Sequence, residues 1–362
     1  MEPLAPIYAE AVTGSLLGLA VGDALGLPRE NMSARRGERL FPHLDRHQFF
    51  FRRGLFSDDT EHACFVGQAL LTSGGDLERF RRDLARRLRW WALGLPAGTG
   101  RATIKACAKL WLGWSPERSG VWSAGNGPAM RAPLLGACLG SDRESLRAFV
   151  RASTRITHTD PKAECGALAV AWAAHRFAQT RASDAIGAAE LVAEIGDLIG
   201  AEPAAVKLLE SLAQIAPNLT AGRTPEEFCA ALGLKRGVTG YIYHTVPVAL
   251  YAVLRHPNDF RAAIQAAIRC GGDADTTAAV TGGVLGARVG KAGIPAAWLD
   301  GAIDWPRSAR WVEALGARVG EGAWLAEPQR ALPLAVWALP FRNAAFFAWV
   351  LVHVVRRLLP PY

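Results

Sequence analysis

The sequence predicts an all-α fold. Apolar residues recur at intervals of three or four along most of the 362-residue chain, which is the spacing of one helix face. Alternating β-branched runs, which are typical of half-buried strands, are few. The helical period is clearest at residues 11–25, 61–71, 77–93, 163–179, 188–198, 246–254, 260–269 and 276–289. Glycine- and proline-rich breaks separate these segments at 94–100, 115–128, 157–161 and 217–225.

The first predicted helix, 11–25, has a glycine at every fourth position, at Gly14, Gly18 and Gly22. A glycine inside a helix costs about 1 kcal/mol relative to alanine, so we expect a neighbouring helix to pack very closely here. Glu30 follows a proline turn after this helix. On its own, such a glutamate is typical of a surface position.

An acidic motif precedes two of the predicted helices. Ser57, Asp58 and Asp59 precede the helix at 61–71, and Asp273 and Asp275 precede the helix at 276–289. Residues two apart do not share a helix face, so the second pair converges only if the chain is a loop there, which the preceding glycine pair permits. Serine and aspartate are favoured at helix N-termini. We therefore expect two helix N-termini to meet, with four carboxylates directed at one point.

Such a cluster requires cations. Four carboxylates in one pocket repel one another too strongly to remain ionised together unless positive charge neutralises them. Oxygen ligands without histidine or cysteine suit Mg²⁺ or Mn²⁺ better than Zn²⁺. Two unrelated capped helices are the alternative interpretation, but the matched pair of motifs favours a shared metal centre.

The net charge of +8 is carried by arginine, and segment 78–89 alone holds six arginines against two acids. A basic patch could attract phosphates or nucleic acid, yet no interleaved aromatic residues or helix-turn-helix pattern accompany it. We interpret the segment as a solvated helix face and expect no specific nucleic-acid partner.

The cysteines indicate a reducing compartment. The six of them, at positions 64, 107, 138, 165, 229 and 270, show no paired spacing and no zinc pattern. We expect reduced core thiols in a cytoplasmic protein. The N-terminus has Glu2 and Glu10 and lacks a basic segment, so no signal peptide is predicted. The chain also shows no regular repeat and no low-complexity linker, which favours one domain over two.

Three loops ahead of predicted helices carry candidate binding residues. The first is glycine-rich, and such loops offer backbone N–H groups to a diphosphate. The histidine of the second could contact a substrate or cap its helix. The tyrosines of the third could stack on a purine or pack in the core. The residues are Ser123, Gly125, Asn126, Gly127 and Met130 in the first loop, His158 in the second, and Tyr241 and Tyr243 in the third.

Taken together and in this order, these segments resemble the ADP-ribosylglycohydrolase family, which includes dinitrogenase-reductase-activating glycohydrolases and hydrolases of ADP-ribosylated arginine and serine. The resemblance extends from about residue 11 to about residue 298 and is specific, because both acidic motifs match nearly letter for letter. Pro128 departs from the small residue usual there. The resemblance implies a compact all-α domain with a two-metal centre that holds two divalent cations, Mg²⁺ or Mn²⁺. The implied metal ligands are Ser57, Asp58, Asp59, Asp273, Asp275 and Thr276.

The resemblance also implies roles for the other residues. Glu30 matches a mobile acidic residue near the metals, the 123–130 loop matches the one that holds diphosphate and ribose, and His158 matches a histidine that contacts the ligand. The implied reaction cleaves the glycosidic bond between ADP-ribose and an ADP-ribosylated protein or other acceptor, through an oxocarbenium-like state. A slightly anionic centre would stabilise that positive charge. A carboxylate would take the proton of the attacking water, with Glu30 and Asp59 as the catalytic candidates.

Two function classes follow. The favoured one is the metal-dependent hydrolase that releases ADP-ribose. The alternative is a non-catalytic module that binds ADP-ribose or another nucleotide, possibly associated with a membrane, and the intact metal set argues against it. No residue specifies whether the acceptor is arginine, serine, a nucleic-acid end or a small metabolite.

The C-terminal segment lies outside the resemblance. We divide the chain into a catalytic domain, 1–326, and an apolar helical tail, 327–362. The uninterrupted apolar run 344–352 has nine residues, whereas a membrane-spanning helix needs about 20, and Pro340, Arg342 and Asn343 interrupt it upstream. We expect the tail to pack on the domain or on a second subunit, and place it in a membrane interface only as the less favoured alternative.

Overall fold

The computed structural model describes residues 6–96, 98–180 and 183–360. These ranges form α-helices joined by loops and short 3₁₀ turns, without a β-strand among them. All eight predicted helices are present, so the predicted all-α fold is confirmed. The helices are α1 (Pro6–Gly26), α2 (Ala34–Leu40), α3 (Asp58–Ser73), α4 (Leu77–Ala92), α5 (Arg101–Trp111), α6 (Ala132–Leu139), α7 (Arg143–Arg155), α8 (Pro161–Ala178), α9 (Ala188–Ile199), α10 (Val206–Ala213), α11 (Ile215–Thr220), α12 (Pro225–Ala231), α13 (Ile242–Arg255), α14 (Phe260–Arg269), α15 (Ala274–Val289), α16 (Ala296–Gly301), α17 (Ala309–Gly320) and α18 (Leu339–Leu358).

Helices α1 and α15 form the centre of the fold. They run antiparallel, since Gly14 lies against Gly286 and Gly26 lies against Ala274. A Cβ added at Gly18 would lie 2.2 Å from the backbone oxygen of Gly282, so the two backbones touch without intervening side chains. This contact confirms the close packing predicted for the glycine face. Helices α8, α13 and α14 pack around α15, and α17 packs on α1.

The core is filled mainly by alanine, leucine and valine, and all six cysteines are buried and free of disulfides. Two stretches of the described residues are long and apolar enough to cross a membrane by length and composition alone: Tyr8–Arg29, whose apolar 18-residue window is 94% buried, and Val336–Leu358, whose window is 22% buried. The first is largely the central helix α1, whose apolar surface serves the core.

The tail is helical through the residues that interrupt its apolar run. Helix α18 has 20 residues and runs through Pro340, Arg342 and Asn343. Proline is tolerated in the first turn of a helix, where its missing N–H would have no helical partner. The two polar residues are accommodated because the rest of the protein binds them: Asn343 donates from Nδ2 to the carbonyl oxygen of Gly94 at 2.9 Å, and Arg342 pairs with Asp304.

The inner face of α18 packs on the loop around residue 49. Trp349 donates from Nε1 to the carbonyl oxygen of Phe49 at 2.7 Å, and Nε2 of His353 lies 3.0 Å from the same oxygen. The rings of Phe346 and His353 also pack against Phe49. The tail therefore contacts the helical domain through one face, while most of its other face is exposed.

We expect Gly18→Ala to destabilise the protein by about 2–3 kcal/mol or more, because the new methyl group overlaps a backbone oxygen that cannot move without separating α1 from α15. Gly196→Ala is the matched control. Gly196 also lies inside a helix, but its added Cβ meets only Leu209 at 3.9 Å, so the gain in helix propensity should stabilise by about 0.5–1 kcal/mol. Thermal and urea unfolding measure both variants. A Gly18→Ala protein as stable as the parent would contradict this account of the contact.

Candidate active site

The two acidic motifs meet, as predicted. Ser57 caps α3, accepting a hydrogen bond at Oγ from the Asp59 N–H at 3.2 Å. Thr276, in the first turn of α15, donates from Oγ1 to Oδ2 of Asp59 at 3.1 Å, which joins the two helix N-termini directly. Helix α15 begins earlier than predicted, at Ala274. Asp273 therefore ends the loop, while Asp275 already belongs to the helix.

The loop before α15 brings Glu30 to the same place. Gly271 and Gly272 have φ values of +69° and +77°, and a Cβ at Gly272 would lie 1.8 Å from the carbonyl oxygen of Val238. Only glycine fits this turn. The backbone of Gly272 accepts from Asn31 N–H at 2.7 Å and donates to the carbonyl oxygen of Met32 at 2.6 Å. Glu30, next to Asn31, is thereby held near Asp273.

Asp23 fixes the beginning of α3, and the sequence analysis missed it. This residue of α1 is fully buried. Its Oδ2 accepts from the backbone N–H of Ser57 at 2.9 Å and of Thr60 at 3.2 Å, and also from the Thr60 hydroxyl. Burial raises the pKa of Asp23 to about 6, although these hydrogen bonds oppose the rise. Asp23 is the only charged residue of the predicted helix 11–25, and this was the available signal.

The electrostatics of the cluster call for positive charge. Burial, followed by repulsion from neighbouring carboxylates, raises the pKa of Asp58, Asp59 and Asp275 well above the usual range. Burial and then Asp273 raise the pKa of Glu30 to about 7. The cluster is therefore costly to ionise without a counter-charge.

The oxygen atoms of the acidic cluster are suitable ligands for divalent cations. Oδ1 of Asp59 and Oδ1 of Asp275 are buried and accept no hydrogen bond. The other candidate metal ligands around them are also oxygen atoms, which suits Mg²⁺ or Mn²⁺. Within the described ranges, no three His, Cys, Asp or Glu side chains are arranged so that they could hold a metal ion without adjustment. Cation binding therefore requires hydroxyl ligands such as Ser57 and Thr276, or adjustment of the carboxylate rotamers.

A cavity of about 380 Å³ opens over this cluster. Ser57 and Asp59 are buried beside it. A larger cavity of about 910 Å³ lies among α4, α7, α8 and α9 but has none of the predicted site residues in its wall. We place the site in the smaller cavity because both acidic motifs and the glycine-rich loop meet there. The predicted residues in its wall are Glu30, Asp58, Ser123, Gly125, Asn126, Gly127, Met130, His158, Asp273, Asp275 and Thr276.

His158 is a neutral imidazole at this wall. Burial, together with Arg131, lowers its pKa to about 3. Nδ1 of His158 lies 2.8 Å from Oγ1 of Thr157, and Arg131 donates to the same hydroxyl oxygen at 2.8 Å. That hydroxyl also lies 3.4 Å from Thr154 O, and Nδ1 is the acceptor when the hydroxyl proton is directed at the ring. This assignment leaves the imidazole proton on Nε2, which lies against Gly125.

The glycine-rich loop is tied to the acidic cluster. Asn126 donates from Nδ2 to Oδ2 of Asp273 at 2.6 Å and to Oγ1 of Thr245 at 2.9 Å. Its backbone N–H donates to the carbonyl oxygen of Gly240 at 2.9 Å. Asn126 therefore orients Asp273 as well as its own loop.

The predicted tyrosines do not belong to the cavity wall. The hydroxyl of Tyr243 donates to the carbonyl oxygen of Ala204 at 2.7 Å, and the side chain is buried. Tyr243 is therefore corrected to a core residue, because its hydroxyl finds a backbone partner away from the cavity. The ring of Tyr241 packs against Tyr243 and His244, beside the cavity.

Two parts of the site had no strong sequence signal. Arg131 is fully buried and acts through Thr157. Residues 98 and 100–103 form another part of the cavity wall, where α5 begins after Gly100 without a side-chain cap. The first N–H groups of a helix have no helical partner, so this wall offers backbone donors to the cavity.

A buried ion network supports the chain before Ser57. Phe56 donates its backbone N–H to Oδ2 of Asp304 at 2.9 Å, and its carbonyl oxygen accepts from Arg342 of α18. Arg342 also pairs with Asp304, and Arg307 pairs with Glu61 of α3. The tail helix thus holds the backbone next to the first acidic motif.

Comparison with known proteins identifies the family of this chain. Residues 4–329 match the ADP-ribosylglycohydrolase family. The ADP-ribosyl-[dinitrogen reductase] glycohydrolase of Rhodospirillum rubrum is 27% identical over 305 residues, covering 82% of this chain and 91% of the relative. The ADP-ribosylarginine hydrolase Tri1 of Serratia proteamaculans is 24% identical over 324 residues, covering 83% of this chain and 78% of the relative.

A solved structure described as an ADP-ribosylglycohydrolase-related protein complex superposes with a TM-score of 0.57 and 26% identity, covering 89% of this chain and 100% of that one. The chain belongs to the ADP-ribosylglycohydrolase family, as the resemblance predicted. Divalent metal ions are used in this family. The family match ends at residue 329, ahead of α18.

We expect Arg342→Ala to lower the free energy of unfolding by about 3–5 kcal/mol, because Asp304 would remain buried without its cationic partner. Arg310→Ala is the control, since Arg310 is exposed and its loss should change stability by less than about 0.5 kcal/mol. Urea unfolding of both variants gives the comparison. Equal stability of the two would show that the network contributes little.

Proposed function

We propose that this protein is a hydrolase that cleaves the glycosidic bond between ADP-ribose and a modified acceptor and depends on two divalent cations. The observation that carries the proposal is the convergence of Asp59 and Asp275, each with a buried oxygen that accepts no hydrogen bond, beside a cavity whose other walls present hydrogen-bond donors. Named relatives act on ADP-ribosylated dinitrogen reductase and on ADP-ribosylarginine, which supports an ADP-ribosylated acceptor.

The donor walls suit the diphosphate. His158, Gly127 of the glycine-rich loop and the uncapped start of α5 line the cavity and supply hydrogen-bond donors to it. Helix N-termini and glycine-rich loops bind phosphate oxygens through such groups. In this arrangement the diphosphate lies along the donor walls, and the distal ribose reaches the acidic cluster.

The acidic cluster suits the reacting sugar. Ser57, Asp58, Asp59, Asp273, Asp275 and Thr276 would hold the two cations, Mg²⁺ or Mn²⁺, which when bound orient hydroxyl groups and acidify water. The Glu30 carboxylate, at the cavity wall, accepts the proton of the attacking water. The surrounding carboxylates stabilise the positive charge that develops on the ribose. Buried, unpaired thiols support a reducing cytoplasm as the place of action.

The first test is a panel of acceptors ADP-ribosylated on arginine, serine, a nucleic-acid end or a small metabolite, with free ADP-ribose measured by mass spectrometry. We expect release from at least one acceptor, loss of release after chelation, and recovery with Mg²⁺ or Mn²⁺ but not with Zn²⁺, because the ligands are all oxygens. Full activity after exhaustive chelation would reject the metal requirement. Tight ADP-ribose binding without release from any acceptor would favour the non-catalytic binding module.

Replacing one acidic ligand tests the metal assignment. Asp58→Asn keeps the volume of the side chain and removes its charge, so we expect the rate to fall at least about 100-fold with the fold intact by circular dichroism. Asp76→Asn, at the N-terminus of α4 and away from the cavity, is the matched control and should keep its rate. Near-normal turnover in Asp58→Asn would refute the assignment.

Substitutions at Glu30 and His158 should distinguish a role in catalysis from a role in ADP-ribose binding. Glu30→Gln removes the proton acceptor, so we expect kcat to fall far more than the affinity for ADP-ribose measured by calorimetry. His158→Ala removes a donor, so affinity should weaken by about 1–3 kcal/mol, the cost of an unmatched polar group. Matched losses of rate and affinity in Glu30→Gln would make it a binding residue. Unchanged affinity in His158→Ala would limit that histidine to a structural role.

A further inference from the structure

Helix α18 directs polar side chains toward the domain and apolar side chains outward, the opposite of an ordinary surface helix. Its polar side chains Arg342, Asn343 and His353 face the domain, where protein groups bind them. A surface helix of a soluble protein normally directs its polar residues outward. The exposed residues between positions 341 and 355 are all apolar: Phe341, Ala344, Ala345, Phe347, Ala348, Leu351, Val352, Val354 and Val355.

This orientation is fixed by the domain. A rotation of α18 that turned Phe347 and Val355 inward would remove Arg342 and Asn343 from their partners, which costs more than the exposure of apolar side chains. The contacts with the domain therefore fix the apolar face in its exposed position. This face is continuous, whereas apolar residues on ordinary surfaces are scattered.

The apolar face continues at both ends and is bordered by arginine. At its start Trp337 is 71% exposed and packs on Trp305. At its side Phe51 is 74% exposed and packs on Trp349. The exposed Arg52 and Arg53 follow Phe51 directly, and the exposed Arg356 follows the last valines. Apolar and aromatic side chains bordered by arginine match the boundary between acyl chains and anionic headgroups.

A second copy of the chain is the alternative occupant, and the test below distinguishes it. A helix that crosses the bilayer fits less well than one that lies in the membrane plane. Crossing the bilayer would carry Arg342, Asn343 and His353 into hydrocarbon and separate them from the groups that bind them.

We propose that the outer face of α18, with Phe51, Trp337 and the adjoining arginines, rests on an anionic lipid surface, with the helix lying in the membrane plane. Asn343 also holds Gly94, which lies just before the cavity wall that includes Gly98 and Gly100. Docking of α18 therefore places one side of the cavity near the lipid surface. This placement does not depend on which reaction the cavity performs.

The test uses the full-length protein in flotation with vesicles of phosphatidylcholine alone or of phosphatidylcholine mixed with phosphatidylserine. We expect flotation with the mixed vesicles only, weakened by high salt because charge screening reduces the arginine contribution. Val355→Glu should lower the partition coefficient at least about tenfold, and Phe347→Glu should act in the same direction.

Val206→Glu is the matched control. Val206 is 55% exposed and Val355 is 57% exposed, so the two substitutions change charge and exposed area alike while only one lies on the proposed face. Equal thermal unfolding of both variants excludes misfolding as the cause. Absence of wild-type flotation, or equal loss in both variants, would overturn the proposal. A dimer in analytical ultracentrifugation that Val355→Glu dissociates, without flotation, would overturn it in favour of a second copy of the chain.

Discussion

The backbone contact between α1 and α15 determines where every other part of the site lies. Because glycines line both helices, the C-terminal turns of α1 reach the first turn of α15 with no side chains between them. The side chain of Asp23 extends from α1 at this point and accepts hydrogen bonds from the backbone at the start of α3. The acidic motifs on α3 and α15, more than 200 residues apart in the chain, are therefore joined through one helix rather than through a flexible loop.

The buried charges form two groups, the carboxylates beside the cavity and the arginines that bind other protein groups. Carboxylates collect beside the cavity, where burial and mutual repulsion disfavour their ionised forms. Buried arginines lie behind them: Arg131 orients the Thr157–His158 pair, and Arg342 holds the backbone before Ser57. Arg131 and Arg342 each bind at least one protein group, whereas Oδ1 of Asp59 and Oδ1 of Asp275 accept no hydrogen bond. Unused acceptors are what a site needs when its missing partner is a cation.

The predictable parts of this protein were those with a local signal. Helices with a strong period, and two motifs rich in N-cap residues, carry their structure in neighbouring residues. Asp23 and Arg131 were missed because their importance comes from partners distant in the chain. Tyr243 was misplaced for the same reason, since a carbonyl oxygen far from the cavity binds its hydroxyl. The inward orientation of the polar residues at the start of α18 had no sequence signal, because only the folded domain supplies their partners.

The most direct test of the account is a crystal structure of the protein with Mn²⁺, with the ions located by anomalous scattering. We expect two anomalous peaks between the start of α3 and the start of α15, at about 2.0–2.3 Å from carboxylate or hydroxyl oxygens of the two acidic motifs, including Oδ1 of Asp59 or Asp275. Peaks elsewhere, or no peak at a Mn²⁺ concentration that supports activity, would contradict it.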